Sequence, residues 1–357
     1  MDQLLEPEAC YRAVATRDLR FDGRFFTCVK TTGIYCRPVC PARTPRRENV
    51  SFVPSAAAAE EAGYRACLRC RPETAPDMGA WKGTSATVGR ALALIEAGAL
   101  DEGNVDALAT RLGMGERQLR RLFRRHLGAA PVSVAQTRRV LLAKALIQET
   151  DLGLAEVALA SGFGSVRRFN ETFQALYGRP PSALRRGATR SDGGGVRLSL
   201  AYRAPYDEGA MLGALAARGD SVQAGVWRRA LSREIDGAAG SVSARFAKGR
   251  LAVEVETPDL RVLPGVLARV RRVFDLSADP EAIAADLAVD PGLRSALEAR
   301  PGLRLAGDWR EADDTTPSDR LPGDFPKALS ERAEAWRPWR AYGALYLKTM
   351  ETRDVAA

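Results

Sequence analysis

Four cysteines in two close pairs carry the strongest chemical signal in this sequence: Cys36-Arg-Pro-Val-Cys40, a 26-residue insert, then Cys67-Leu-Arg-Cys70. Two such pairs, brought together by a folded insert, supply the ligands of a tetrahedral four-sulfur zinc site. Thiolate sulfur suits zinc better than calcium or magnesium, and no histidine lies near enough to complete a mixed site. A cysteine held on such a cation is deprotonated and needs no general base to act as a nucleophile at neutral pH. The cluster could instead be a purely structural knuckle, the usual fate of a closed site. The flanking residues decide between the two.

The flanks read Lys30-Thr-Thr-Gly-Ile-Tyr-Cys36-Arg-Pro-Val-Cys40-Pro-Ala-Arg43, then Arg47-Glu-Asn-Val50, then Ala62-Gly-Tyr-Arg65-Ala-Cys67-Leu-Arg69-Cys70. Over residues 5–75 this resembles the N-terminal domain of the Ada family, the adaptive-response proteins for DNA alkylation. The resemblance implies a small zinc-bound α/β domain in which Cys36, Cys40, Cys67 and Cys70 bind one Zn2+. It further implies that Cys36 is a suicidal acceptor, taking the methyl group from a methylphosphotriester in the DNA backbone. Thr32, Arg43, Arg65 and Arg69 would then cradle that backbone.

Charge explains why such a site suits such a lesion. Four thiolates around one divalent ion leave a formal charge of two minus, which makes sulfur electron-rich and repels ordinary phosphates. A methylphosphotriester has lost its charge and approaches without that repulsion. Once the acceptor is a thioether the site falls to one minus, and DNA binding tightens without a large rearrangement.

At 357 residues the chain has length for two or three domains. Its 46% apolar and 27% charged residues are those of an ordinary soluble protein. No apolar run of membrane-spanning length occurs. The acidic start, Met1-Asp-Gln-Leu-Leu-Glu-Pro-Glu, lacks the basic-then-apolar pattern of a secretory signal. Outside the cluster only Cys10 and Cys28 remain, read as buried or idle thiols, so a reducing cytoplasm is expected. Residues 1–190 carry 29 Lys and Arg against 19 acids, whereas the rest is nearly neutral. The basic half is the half expected to face nucleic acid.

Beyond a linker-like stretch, Pro72–Lys82, a short amphipathic helix is expected over Val88–Ala97. Two helix-turn-helix patterns follow. In the first, Val105–Gly113 leads into Met114–His126, with Leu119, Leu122 and Phe123 on one face and arginines on the other. In the second, Leu154–Gly162 leads into Phe163–Tyr177, and Val134–Gln148 forms a connecting helix with Arg138 and Arg139 exposed. Over residues 84–187, ending in Tyr177-Gly-Arg-Pro-Pro-Ser-Ala-Leu-Arg, the pattern resembles the AraC-type DNA-binding domain. That likeness implies an all-α double helix-turn-helix whose recognition helices enter successive major grooves. Glu116, Arg117, Gln118, Arg120 and Arg121 fall on the first, and Ser165, Arg167, Arg168 and Asn170 on the second. His126 reads as a surface or hydrogen-bonded helix residue.

The Gly187–Gly195 stretch reads as a flexible linker. Beyond it, strands are expected at Val196–Tyr202, Val226–Leu231, Ser241–Phe246 and Leu251–Val255, with helices over Met211–Arg218 and Val262–Phe274. The run Ala268-Arg-Val-Arg-Arg-Val-Phe-Asp-Leu-Ser-Ala-Asp-Pro-Glu-Ala-Ile-Ala, with Arg300-Pro-Gly-Leu-Arg, resembles the N-terminal, TBP-like α+β domain of AlkA-type 3-methyladenine DNA glycosylases. Those enzymes cut the glycosidic bond with a separate helical domain, a helix-hairpin-helix followed by a catalytic aspartate. Almost none of it is expected here. The tail Leu329–Tyr346 resembles its last helix, Leu321-Pro-Gly323 sits on the wrong side of Asp319 for the hairpin, and Asp319 lacks the helices that would hold it. Little or no glycosylase activity is expected. No Pro-Cys-His-Arg motif occurs either, so methyl transfer from a base is not expected.

The sequence thus describes a multidomain α+β protein: residues 1–76 zinc methyl-acceptor domain, 84–187 DNA-binding domain, 195–309 AlkA N-terminal-like domain and 310–357 glycosylase remnant. The function it favours is a regulator that repairs methylphosphotriesters and then activates alkylation-repair genes. Its partners would be double-stranded DNA and RNA polymerase, with no membrane, at the cytoplasmic nucleoid. The competing readings are a transcription factor whose zinc is only structural, and a combined regulator and glycosylase.

Overall fold

The computed structural model describes residues 6–76, 86–185, 195–310 and 317–354. In the first region α1 (Pro7–Thr16) starts where the Glu6 carboxylate accepts from the Glu8 and Ala9 amides, and it stops at Arg17 in the left-handed region. Then come β1 (Phe26–Val29), β2 (Ile34–Cys36), β3 (Val50–Val53), α2 (Ala56–Glu61) and the short β4 (Arg65–Ala66). The sheet order is β3-β1-β2-β4, antiparallel except for the β2–β4 pair. Helix α2 is capped by Ser55 and begins with four alanines, all buried. Side chains that small let it lie close against the next region.

The second region is all helix: α3 (Ala86–Glu96), α4 (Val105–Arg111), α5 (Glu116–Leu127), α6 (Pro131–Glu149), α7 (Leu154–Ala160) and α8 (Val166–Tyr177). Apolar residues four apart bury one face of each second helix, Leu119, Phe123 and Leu127 on α5 and Phe169, Phe173 and Tyr177 on α8. The two turns need backbone that only glycine adopts readily, Gly113 at φ +71° and Gly162 at φ +86°. A Cβ on Gly162 would stand 2.3 Å from Asp101 Oδ2.

That aspartate corrects the sequence reading of Arg138 and Arg139. Both turn inward, their side chains only 6% and 11% exposed, and converge on Asp101 Oδ1 at 2.9 and 2.8 Å. The Asp101 carboxylate in the α3–α4 loop draws both inward, so they are not available on the helix surface. The stretch after Cys70 also departs from a loose linker. Pro72 and Thr74 are buried, and Glu73 is held by Arg71 and Lys144. The remainder of that stretch, 77–82, and residues 187–194 lie outside the described residues.

The third region begins with β5 (Val196–Ala201), α9 (Glu208–Ala217), β6 (Ser221–Gln223), β7 (Val226–Leu231), α10 (Arg233–Asp236), β8 (Gly240–Ala247) and β9 (Arg250–Glu256). The sheet is antiparallel throughout, in the order β5-β9-β8-β7-β6. It is followed by α11 (Leu263–Val273), α12 (Pro280–Leu287), α13 (Pro291–Ala299), α14 (Ser330–Glu334) and α15 (Arg340–Asp354). Trp227, Phe274 and Trp309 pack together, and the Trp309 indole donates to Asp236 in α10.

Trp336 and Trp339 are buried against α12 and α13, their indole N–H groups donating to Asp290 and Asp286. The tail therefore covers apolar surface of α12 and α13. Asp319 is bound by the Arg337 and Arg340 guanidiniums, a charge knot on the tail rather than a residue poised in a pocket. One hydrophobic cluster runs from Tyr35 through Val140 and Phe169 to Leu198 and Trp227, so the three regions share packed contacts. Among the described residues no helix is long and apolar enough to cross a membrane.

Candidate metal centre

Register brings the two cysteine pairs together. Parallel pairing sets Tyr35 beside Ala66, and the Cys67 amide donates to the Tyr35 carbonyl at 3.0 Å. Cys36 and Cys67, one residue further on each strand, are thereby side by side. A turn brings Cys40 back, its amide donating to the Arg37 carbonyl, and a second tight turn brings Cys70 round. The four Sγ atoms lie within 4.8 Å of one another. Sulfurs about 2.3 Å from a central ion in a tetrahedron stand about 3.8 Å apart, so the donor set fits zinc.

The surroundings fit a shared cation as well. The Arg37 amide donates to Cys70 Sγ at 3.4 Å and the Arg69 amide to Cys67 Sγ at 3.3 Å. Left to themselves, thiols this close perturb one another. Hydrogen bonding with Cys40 and then Cys67 and Cys70 pushes the Cys36 thiol up, and bonding with Cys36 first pulls Cys67 down. All four become anionic together only around a cation. Burial pushes the two thiols outside the cluster up instead, Cys10 to about 11 and Cys28 to about 12, which keeps them protonated and inert.

Accessibility divides the four sulfurs. Cys67 and Cys70 are buried, whereas Cys36 and Cys40 are only half-buried. None of the four lines the cavity of about 420 Å³ among α6, β5 and α11. Of the four residues read as cradling the backbone, Thr32, Arg43 and Arg69 are exposed and Arg65 is half-buried. β2–β4 pairing sets Arg65 opposite Ile34, two residues before Cys36.

Arg37 had no role assigned from sequence, although it lies inside the cysteine motif. It turns inward, Nε donating to Asp22 Oδ1 at 2.8 Å and Nη1 to the Cys70 carbonyl at 3.2 Å and Thr74 Oγ1 at 2.7 Å. It ties the segment carrying Cys36 to the loop after Cys70. Its only sequence signal is its position between two ligands, because Asp22 lies fifteen residues away.

The recognition-helix residues stand on open faces. Arg117, Gln118, Arg120 and Arg121 are exposed on α5, and Arg167, Arg168 and Asn170 on α8. Arg120 pairs with Glu116 at 2.7 Å and Arg167 with Glu171 at 2.8 Å, each one helical turn along. Ser165 caps α8 through the Arg168 amide rather than lying within it.

Comparison with known proteins finds the metal binding domain of Ada over residues 9–73, a helix-turn-helix domain over 108–187 and the AlkA N-terminal domain over 197–310. A probable bifunctional transcriptional activator/DNA repair enzyme AlkA of Mycobacterium tuberculosis is 42% identical over 316 residues, 86% of this chain and 63% of its own length. The chain thus spans under two thirds of that relative. The bifunctional transcriptional activator/DNA repair enzyme Ada of Escherichia coli is 39% identical over 129 residues, 36% of this chain and 35% of the relative. The refined structure of the DNA methyl phosphotriester repair domain of E. coli Ada is 46% identical, covering 20% of this chain and 78% of that one, with a TM-score of 0.19.

Proposed function

From a chain whose three matched regions belong to the Ada metal-binding, helix-turn-helix and AlkA N-terminal domain families, we propose a DNA-alkylation sensor that repairs a backbone methylphosphotriester and then acts as a transcription activator. The observation that supports it most is the convergence of four sulfurs with Cys36 at the accessible edge, beside exposed basic residues.

Cys36, Cys40, Cys67 and Cys70 would hold the zinc, which when bound keeps their sulfurs anionic at neutral pH. Thr32, Arg43, Arg65 and Arg69 would bind the phosphates flanking the lesion and orient the triester. The Cys36 Sγ lone pair forms an S–CH3 bond as the CH3–O bond breaks. The electron pair of that bond stays on the phosphate oxygen, restoring an ordinary charged diester. No proton moves and no water is needed. The Cys36 thiolate is not regenerated from the resulting thioether, so each chain acts once.

Transfer removes one negative charge from the protein surface facing DNA. A unit charge about 4 Å from a phosphate is worth on the order of 1 kcal/mol in water and about 4 kcal/mol at a protein surface. Affinity would rise by about fivefold or more, helping to hold α5 and α8 on a promoter where RNA polymerase could be met.

The reading is tested on the DNA. A synthetic duplex bearing a single methylphosphotriester should lose it stoichiometrically, one per chain, and Cys36→Ser should leave it intact. Complexes formed after transfer should also need more salt for release. A duplex that survives wild-type protein would leave a regulator with a structural zinc. Release of 3-methyladenine from alkylated duplex would instead favour the glycosylase reading.

A further inference from the structure

The metal loop is gripped by a residue from the DNA-binding region. Lys144 lies in the middle of α6, fully buried, and its ammonium donates to the Cys67 carbonyl at 3.2 Å and to Glu73 Oε2 at 2.7 Å. Glu73 is itself 1% exposed and also receives Arg71 Nε at 3.0 Å. Arg71 reaches on to Glu149 at the end of α6, at 2.6 Å. Both the last two ligand cysteines are thus bracketed by bonds to one helix: Cys67 through its own carbonyl, Cys70 through the residue that follows it.

A buried ammonium costs several kcal/mol to desolvate, and a well-packed apolar pair of similar size often does as well or better for stability. The carbonyl that Lys144 holds belongs to the turn in which the Arg69 amide points at Cys67 Sγ. Holding the Cys67–Leu68 peptide anchors the start of that turn, one peptide before the Leu68–Arg69 amide that meets the sulfur. An apolar side chain at 144 could fill the space but could not donate to the carbonyl.

We infer that Lys144 is a positioning residue for the metal loop, so that helix α6 of the DNA-binding region completes the four-sulfur site through Cys67 and Glu73. The inference rests on the cluster holding zinc, but not on what the cluster then does to DNA. It makes the two regions one device. A displacement at the sulfurs is passed to the helix joining both helix-turn-helix motifs through the two hydrogen bonds of Lys144.

The test measures release of zinc from the full-length, zinc-loaded chain to a colorimetric chelator, with thermal unfolding followed in parallel. Lys144→Met should speed release on the order of 10- to 100-fold, the usual range for partners that orient metal ligands. Lys144→Met with Glu73→Leu removes both buried charges and guards against mere misfolding. It should regain thermal stability yet keep the fast release. Ser55→Ala, which loses a 2.6 Å bond to the Leu127 carbonyl at the same interface, should lower the melting temperature without speeding release. Release from Lys144→Met at the parent rate would overturn the inference, and so would a double variant that recovers slow release with its stability. Failure of methyl transfer with normal zinc retention would count against the proposed function and leave this inference standing.

Discussion

The sulfur cluster and the recognition helices, both proposed to act on DNA, are built in opposite ways. Around the cluster, the polar groups are buried and committed: Arg37 to Asp22, Lys144 to Glu73, Tyr35 and Thr137 to opposite oxygens of Glu60. On α5 and α8 the arginines stand in solvent; Arg120 and Arg167 pair with acids one turn away, and Arg124 pairs with Glu61 of α2. The difference matches the proposed tasks. A sulfur that must meet one carbon needs fixed geometry before substrate arrives. A side chain that must find a phosphate or a base edge needs only to exchange water, or an exposed acid worth a few tenths of a kcal/mol, for DNA.

Removing the metal should break that contrast most completely. Chelation withdraws folding energy on the order of 10 kcal/mol from such a site. The amides of β1–β4 should lose hydrogen-exchange protection while those of β5–β9 keep it; equal protection in both sheets would contradict the account. Next comes Asp22→Ala, which strands the Arg37 guanidinium at 14% exposure. A loss of about 3–5 kcal/mol in chemical denaturation is expected.

Acidity offers a third test. Burial first of all pushes the Glu60 carboxyl up to about 7, against the pull of its Thr137 and Tyr35 hydrogen bonds. Its folded pKa lies above the ordinary value of 4.5, so the folded protein binds the extra proton between those two pH values. The contribution of Glu60 to stability is therefore complete below about 4.5 and is lost as pH rises through 7, by on the order of 3 kcal/mol. Glu60→Gln should flatten that slope in denaturation curves taken at pH 5 and pH 8, and identical slopes would sink the assignment. The smallest effect on stability belongs to Arg117→Ala and Arg168→Ala, within about 0.5 kcal/mol. Each should still weaken promoter binding, and one that touched phosphate should lower the salt slope by about 1.

What could be read from sequence is what lies close in sequence. The cysteine pairs, the glycine turns before α5 and α8, and the alternation of β5 are local patterns, and the structure realises them. The misread arginines are instructive. Helix periodicity put Arg138 and Arg139 on a basic surface, because nothing within α6 announces that Asp101, 37 residues earlier, would draw both inward. Lys144 and Glu73 are 71 residues apart and Arg37 and Asp22 fifteen, so the partners that stiffen the metal loop carry no spacing signature. The short β6, α10, α12 and α13 were missed for another reason. β6 and α10 are too brief for a period to declare itself, and α12 and α13 are held by packing such as that of Leu287, Leu293 and Leu297 against the tail.

The central claim is that the Cys36 sulfur takes a methyl carbon from a neutral backbone linkage. It is tested most directly by mass spectrometry of the zinc-loaded protein after incubation with duplex carrying a methylphosphotriester labelled in its methyl carbon. The account predicts one labelled methyl per chain, with fragmentation of the peptide spanning Thr31–Arg43 placing it on Cys36 and not on Cys40. An unlabelled protein, or a label on Cys40, Cys67 or Cys70, would contradict it.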